Sequence, residues 1–337
     1  MIELKAGEND EGRRLDRVLR RALSGCSLSL IHRLLRQGRV SVDGKSAAPS
    51  RRIKAGALIT VDAVLPADTA RRAAGPPPQT PAPPILWRGG GLIVFNKPGG
   101  LAVHGPGGLD GIARAFLAGS LPPSLSFRPG PLHRLDKPSS GIIVFSTGIE
   151  GARRFSALLR EHRLKKYYLA VVEGRVSKNA LWRDELFRDK AAQKTFTAAP
   201  GIIKGKTALT KVSPLAVTPP GAPEACTLLL AEITTGRTHQ IRAQAAAHGH
   251  PLAGDLKYGA RLRGGRRGFL LHAWKLELRE TSPELSAGIP PSITAPPPAA
   301  FLERIRTLFG KAAADGLRAD NICAQAHLPY VSLWTKM

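Results

Sequence analysis

One short run carries the makings of chemistry: Pro131-Leu132-His133-Arg134-Leu135-Asp136-Lys137-Pro138-Ser139-Ser140-Gly141. A single carboxylate, Asp136, stands behind the basic pair His133-Arg134 and ahead of a glycine that opens the apolar run Ile142-Ile143-Val144-Phe145. This is the pattern of a loop feeding a strand. A cationic neighbour favours the ionised form of a carboxylate, and the ionised form is the one that covalent catalysis uses as a nucleophile. Taken alone, the segment favours a plainer reading, a turn aspartate capping a hairpin. Its company along the chain decides between the two.

The elements that must position such a residue have ample material. In 337 residues, 43% are hydrophobic, enough for one large domain or two. The charge balance is lopsided: 50 Lys+Arg against 25 Asp+Glu leave a formal +25. An excess of that size spread along the chain implies a polyanionic partner, nucleic acid or an anionic membrane surface. No apolar run reaches the ~18 residues of a membrane span. The start, Met1-Ile2-Glu3-Leu4, has no apolar signal core. Three cysteines, Cys26, Cys226 and Cys323, lie far apart and form neither a disulfide framework nor a zinc site. A cytoplasmic protein without membrane contact, bound to nucleic acid, is the expectation.

Residues 12–64 form a strongly basic unit. Leu15, Val18, Leu19 and Ala22 repeat at helical spacing, with Arg13, Arg14, Arg17, Arg20 and Arg21 on the other faces. A second helix follows with Leu30, Ile31, Leu34 and Leu35 inward and Arg33 and Arg36 outward, closed by Gly38. Arg39-Val40-Ser41-Val42-Asp43-Gly44-Lys45 alternates like a strand running into an Asp-Gly turn, and Leu58-Ile59-Thr60-Val61 reads as another strand. Residues 65–84 hold seven prolines and read as a semi-rigid linker. From Ile85 the pattern changes to short apolar runs: Leu92–Phe95, Ile142–Phe145, Tyr167–Val172, Thr227–Ile233 and Leu270–Leu278. Helical segments, Gly151–Arg163 and Thr238–Ala247, lie between them. The pattern predicts an α+β domain over 85–298 with a large mixed or antiparallel sheet. The tail, 299–337, begins with an amphipathic stretch, Phe301–Arg306, to which no role is assigned.

Several motif look-alikes fail on spacing. Gly201-Ile202-Ile203-Lys204-Gly205-Lys206-Thr207 has three residues between its glycines where a phosphate-binding loop needs four. Gly105-Pro106-Gly107-Gly108 lacks the dinucleotide fingerprint and its βαβ setting. Ser139-Ser140-Gly141 is no nucleophile elbow, since Lys137 stands where the leading glycine belongs. The nine histidines lack metal-ligand spacing. No cofactor and no metal are expected.

Arg14-Leu15-Asp16, the turn from Gly38 to Gly44, and Ile53-Lys54-Ala55-Gly56 together resemble the S4 RNA-binding domain. Ala57 stands where that family usually has Asp, which weakens a turn and leaves the fold. Four further segments follow in order: Asn96-Lys97-Pro98-Gly99-Gly100-Leu101-Ala102-Val103-His104; His133-Arg134-Leu135-Asp136; Lys165-Lys166-Tyr167-Tyr168-Leu169-Ala170; and Thr235-Gly236-Arg237-Thr238-His239-Gln240-Ile241-Arg242, running on through Gly254-Asp255 to Tyr258-Gly259. With Gly205–Thr210 and Leu271-His272-Ala273, they resemble the RluA-type pseudouridine synthase family, which often carries an S4 domain. The resemblance runs from about residue 12 to about 298. Ser139-Ser140-Gly141 replaces the usual Thr-Ser-Gly, and Gly89-Gly90-Gly91 an acidic turn, neither at a reacting position.

The resemblance implies isomerisation of uridine within RNA: the base leaves its N1 link to the ribose and returns through C5, after the nucleotide is flipped from its stack. Asp136 is then the nucleophile, at the sugar C1′ or in removing the 2′ proton. Arg134 would fill the vacated stack or pair with Asp136. Arg242 is expected to hold the carboxylate bidentately, with Arg237 the competing candidate or a phosphate contact. Tyr168 would stack on the uracil and help remove the C5 proton, or else be a strand-core aromatic with Tyr167 exposed. His239 and Gln240 would buttress their loop; Asn96 and Lys97 would shape the site floor or touch phosphate; His133 and Leu271 complete the substrate-binding set. The S4-like unit (residues 1–64) would grip RNA through Arg14, Arg17, Arg33, Arg36 and Arg39. Structured RNA is the expected partner, ribosomal large-subunit RNA first and transfer RNA second, with the protein acting as a monomer. A non-catalytic RNA-binding assembly factor is the reading from another class.

Overall fold

The computed structural model describes residues 1–63, 80–198, 205–261 and 268–317. Most of the expected linker, the start of the Gly201–Thr207 run and the chain beyond residue 317 lie outside the described residues. Two compact units emerge: Met1–Ala82 with His104–Gly130 and Ser146–Arg153, and Pro83–Val103 with Pro131–Phe145 and Arg154–Met337.

In the first unit β1 (Ile2–Lys5), α1 (Leu15–Ala22), α2 (Leu28–Arg36), β2 (Val40–Val42), β3 (Lys45–Ser46) and β4 (Leu58–Val61) follow one another. The strands lie antiparallel in the order β1-β4-β2-β3. Both helices form because one apolar stripe each, Leu15-Val18-Leu19 and Ile31-Leu34-Leu35, buries against Val40, Val42, Ile59 and Val61. Ser27 caps α2 by accepting from the Leu30 N–H at 3.2 Å. The Asp43-Gly44 turn takes positive φ at both residues, 53° and 74°, the hairpin geometry that this dipeptide favours. What the core does not use is basic: Arg17, Arg20, Arg21, Arg33, Arg36 and Arg39 are exposed.

This unit also contains α3 (Leu109–Leu117), unmarked in the sequence reading. Asp10, fully buried, stitches the N-terminal segment to residues 124–126. Its carboxylate accepts from the N–H groups of Gly7 (2.9 Å), Leu125 (2.8 Å) and Ser126 (2.9 Å), from the Ser124 hydroxyl (2.8 Å), and from the Ser126 hydroxyl. Burial by itself raises the pKa of Asp10, but these donors outweigh it and hold the group below the ordinary carboxylate value. Asn9 adds a bond, accepting from the Ile149 N–H at 2.9 Å.

The second unit is built on one mixed sheet. Its strands are β5 (Ile85–Gly89), β6 (Leu92–Lys97), β7 (Gly130–Pro131), β8 (Ser140–Ser146), β9 (Leu164–Glu173), β10 (Ala180–Asp189), β11 (Lys194–Thr197), β12 (Lys206–Val217), β13 (Cys226–Ile233), β14 (Leu271–Leu278) and β15 (Ser292–Thr294). They run in the order β11-β10-β12-β13-β9-β14-β8-β6-β5, with β15 beside β14 and β7 beside β8. β8 and β14 pair in parallel, His272 opposite Ser140 and Ala273 opposite Gly141, while β9, β13, β12 and β10 pair antiparallel. Gly141 is required there: its φ is +107°, and a Cβ would lie 2.1 Å from the Ala273 carbonyl oxygen. The Ser140 hydroxyl meets His272 Nδ1 at 2.8 Å in the same crossing.

Helices α4 (Ile149–Arg160, of which residues 154–160 fall in this unit), α5 (Gln240–Ala247), α6 (Pro283–Ser286), α7 (Ala299–Phe309) and α8 (Lys311–Gly316) accompany the sheet. The amphipathic stretch at Phe301–Arg306 is part of α7, and it has a structural job: Phe301, Ile305 and Leu308 bury with Leu169, Val171, Leu228 and Trp274. Among the described residues, no helix is long and apolar enough to cross a membrane, and no cluster of His, Cys, Asp and Glu is arranged to hold a metal.

Candidate active site

Asp136 lies just ahead of β8, on the wall of a cavity of about 560 Å³. A turn closed by the Ser139 N–H on the Asp136 carbonyl, 3.1 Å, turns the chain into the strand. The loop after β6 clamps this turn. Lys97 is fully buried, and its ammonium donates to the carbonyls of Pro98 (3.0 Å), Leu101 (2.7 Å) and Lys137 (3.3 Å). The Gly100 N–H donates to the same Lys137 carbonyl at 2.8 Å, and a Cβ on Gly99 would meet the Pro138 oxygen at 2.8 Å. Burial pushes the Lys97 pKa down to about 8 against the opposing pull of Asp136. Lys97 has no exposed surface, Asn96 turns its amide to the Pro296 carbonyl (3.0 Å), and neither lines the cavity.

Arg242 on α5 settles which arginine faces the carboxylate. Its Nη1 donates to Asp136 Oδ2 at 2.9 Å. The expected bidentate grip goes elsewhere, because Nε and Nη2 are taken by Asp255, at 2.6 and 2.8 Å. A planar guanidinium can serve both carboxylates at once through its separate edges. Phe269 and Tyr258 cover its faces, with ring centres 4.3 and 4.8 Å from Cζ. Asp255 belongs to the run quoted from the sequence, but its pairing with Arg242, 13 residues back, was not read, since no local pattern couples them. Arg237 is exposed on the cavity wall, its Nε donating to the Thr207 carbonyl at 3.1 Å.

Gln240 buttresses its loop by accepting from the Thr235 hydroxyl (2.8 Å) and the Arg237 N–H (3.0 Å) and donating to the Leu209 carbonyl (3.0 Å). His239 does more than buttress, for its Nε2 lies 3.6 Å from Asp136 Oδ1. His133 Nε2 accepts from the Val144 N–H at 3.1 Å, which ties the loop to β8. Burial, then nearby Lys166, pushes the His133 pKa down to about 3, so the ring is neutral. Arg134 is exposed on the cavity lining and Leu271 is buried in it. Tyr168 is the buried tyrosine of its pair, paired across the sheet with Ala231 and Ala273 and facing the cavity, while Tyr167 packs partly buried on the core. Burial and the charge of Asp136 raise the Tyr168 pKa, which keeps it a neutral phenol. In the first unit Arg14 is engaged by Asp16, at 2.7 and 3.1 Å, and offers less to a partner than the exposed Arg17, Arg33, Arg36 and Arg39.

Residues 91–247 match the RNA pseudouridylate synthase family model and residues 13–59 the S4 domain. The ribosomal large subunit pseudouridine synthase D of Nitrosomonas europaea is 34% identical over 290 residues, covering 82% of this chain and 80% of its own. Ribosomal large subunit pseudouridine synthase C of Escherichia coli is 32% identical over 268 residues, covering 75% of this chain and 78% of its own. In fold, human RNA pseudouridylate synthase domain containing 1 superposes with a TM-score of 0.51 at 24% identity, over 64% of this chain and 83% of that one. The chain therefore belongs to the RNA pseudouridylate synthase family, with an S4 domain ahead of the matched core.

Proposed function

We propose that this chain converts uridine to pseudouridine in a structured RNA, with ribosomal large-subunit RNA as the substrate and Asp136 as the nucleophile. The observation that carries this is the Asp136–Arg242 pair at 2.9 Å on the wall of a cavity that Tyr168 and the exposed Arg134 also line. In this reading the uracil leaves C1′ at N1, rotates, and rejoins through C5; N1 gains a proton and C5 loses one. Arg134 is placed to fill the stack left by the flipped nucleotide. Tyr168, which burial and Asp136 keep as a neutral phenol, lines the cavity where it can stack on the uracil and lies within reach of its C5 edge. We place the work in the cytoplasm, done by a monomer.

Asp136→Asn tests the chemistry. Arg242 keeps both bonds to Asp255 in that variant, so the fold is expected to survive. Pseudouridine formation should be abolished while RNA affinity changes by less than about threefold, since the carboxylate repels rather than binds phosphate. Mapping pseudouridines in total RNA from cells with and without the protein names the substrate. Sites in transfer RNA would replace ribosomal RNA, and an unchanged map would favour an assembly factor.

A second test addresses the S4 domain. Removing residues 1–63 would strip Asp10 from Ser124 and Ser126 and confuse folding with binding. Replacing Arg17, Arg33, Arg36 and Arg39 by Gln leaves the core untouched, as all four are exposed. RNA affinity should fall, and the slope of log affinity against log salt should shrink by about 0.7 to 0.9 for each arginine that meets a phosphate. An unchanged slope removes this face from the RNA contact.

A further inference from the structure

Asp136 has two oxygens, and Arg242 accounts for one. The other, Oδ1, faces His239 Nε2 at 3.6 Å. His239 stands at the N-terminal end of α5 with φ +53°, a left-handed conformation uncommon outside glycine and costing backbone strain. That twist aims the ring at the carboxylate. The far nitrogen, Nδ1, meets the Tyr258 hydroxyl at 2.9 Å and Arg188 Nη1 at 3.4 Å. Arg188 can only donate, and the Tyr258 oxygen already accepts from the Thr195 N–H at 2.9 Å, leaving its own proton for His239. Nδ1 is thereby the acceptor and the ring proton sits on Nε2, pointing at Asp136. Burial, with Arg242, Arg188 and Arg134 nearby, lowers the pKa of His239 against the pull of Asp136, so the ring stays neutral beside the carboxylate.

We propose that His239 is a positioning residue for the isomerisation: its Nε2–H brackets Asp136 Oδ1 opposite Arg242, with Tyr258 fixing the tautomer that makes this possible. This rests on Asp136 being the reacting carboxylate. Once the His239 contact closes to hydrogen-bond length, the carboxylate is held at both oxygens and the attacking oxygen meets the sugar in one orientation. At 3.6 Å the pair stands just beyond hydrogen-bond length without substrate, and catalytic contacts of this kind tighten in the complex.

Three variants in the full-length protein test it, read by single-turnover pseudouridine formation and by RNA affinity. His239→Leu removes the donor and should slow the single-turnover rate by about thirtyfold, with affinity within about threefold, because orientation acts on the rate and not on binding. His239→Gln carries an amide N–H to nearly the same place and should restore the rate to within about fivefold of the native protein. Leu and Gln tolerate the left-handed backbone about equally poorly, so the difference between them reads the donor and not the strain. Tyr258→Phe should slow the native protein by about tenfold but add nothing to His239→Leu, the signature of one coupled unit. Equal impairment of the Leu and Gln variants, or a native rate in His239→Leu, overturns the assignment. If Asp136→Asn still modifies RNA, the nucleophile reading fails instead; if it is inert while His239→Leu is native, His239 alone is wrongly assigned.

Discussion

Arg242→Met is expected to abolish pseudouridine formation and to cost about 3–5 kcal/mol of stability, the usual penalty for removing one partner of a buried ion pair. Arg242 is 6% exposed and Asp255 2% exposed, so the variant leaves a carboxylate stranded in the interior. Asp136 would lose its hold as well. Arg242→Lys separates the two effects. A lysine supplies charge at one point but cannot reproduce the two-edged geometry that serves Asp255 twice and Asp136 once. It should regain part of the stability and little of the activity. Denaturant unfolding followed alongside activity checks both, and a Met variant melting within about 1 kcal/mol of the native protein would show that the pair is not buried as described.

Asp10→Ala should carry the second large effect, at least about 3 kcal/mol, since each buried donor left without an acceptor costs about 1–3 kcal/mol. Five donors converge on this carboxylate, three from the backbone and two from serine hydroxyls. The sign with pH follows from its lowered pKa. A carboxylate whose folded pKa lies below the unfolded value of about 3.9 stabilises fully above that value, and the contribution is lost as pH falls through the folded one. The native protein should therefore weaken on acidification below about pH 4, with that part of the acid limb missing in Asp10→Ala. Urea unfolding at pH 7 and near pH 3, followed in both proteins, makes the comparison. Parallel losses on acidification would assign the acid sensitivity to other groups.

Both residues bear on how far the sequence could be read. Asp136 and Arg242 were picked out by the resemblance of their runs, His133–Asp136 and Thr235–Arg242, to a known family, since the Asp136 run alone favours a turn cap. β8 was legible because its buried middle, Ile142–Phe145, is a continuous apolar run. β10 was not. Of Ala180–Asp189 only Trp182 and Leu186 are buried, and a strand near a sheet edge with so little apolar content has no period to detect. β12 opens with Lys206 and Thr207 and resembled a failed phosphate loop before it resembled a strand. Asp10 looked like one acid among several in a polar start, since its donors lie at residues 124–126 and only the fold assembles them. Asp255 and Tyr258 were quoted only as part of one run, and their pairing with Arg242 and His239, 13 and 19 residues back, follows no local period. Pairwise chemistry across long separations leaves no mark on either stretch alone.

The parallel crossing of β8 on β14 has a consequence for the order in which the molecule comes into being. Ser140 and His272 are 132 residues apart, and their meeting closes the middle of the sheet beside Asp136. Contacts at such separation are the slow ones in folding, because loop entropy is lost before any contact rewards it. A chain emerging from its own synthesis can complete the four-stranded sheet of the first unit early, since β1 through β4 all fall within residues 2–61. The part of the sheet beside Asp136 is completed only when β14 pairs with β8. On the proposed reading, the basic surface is thus ready before the reactive one.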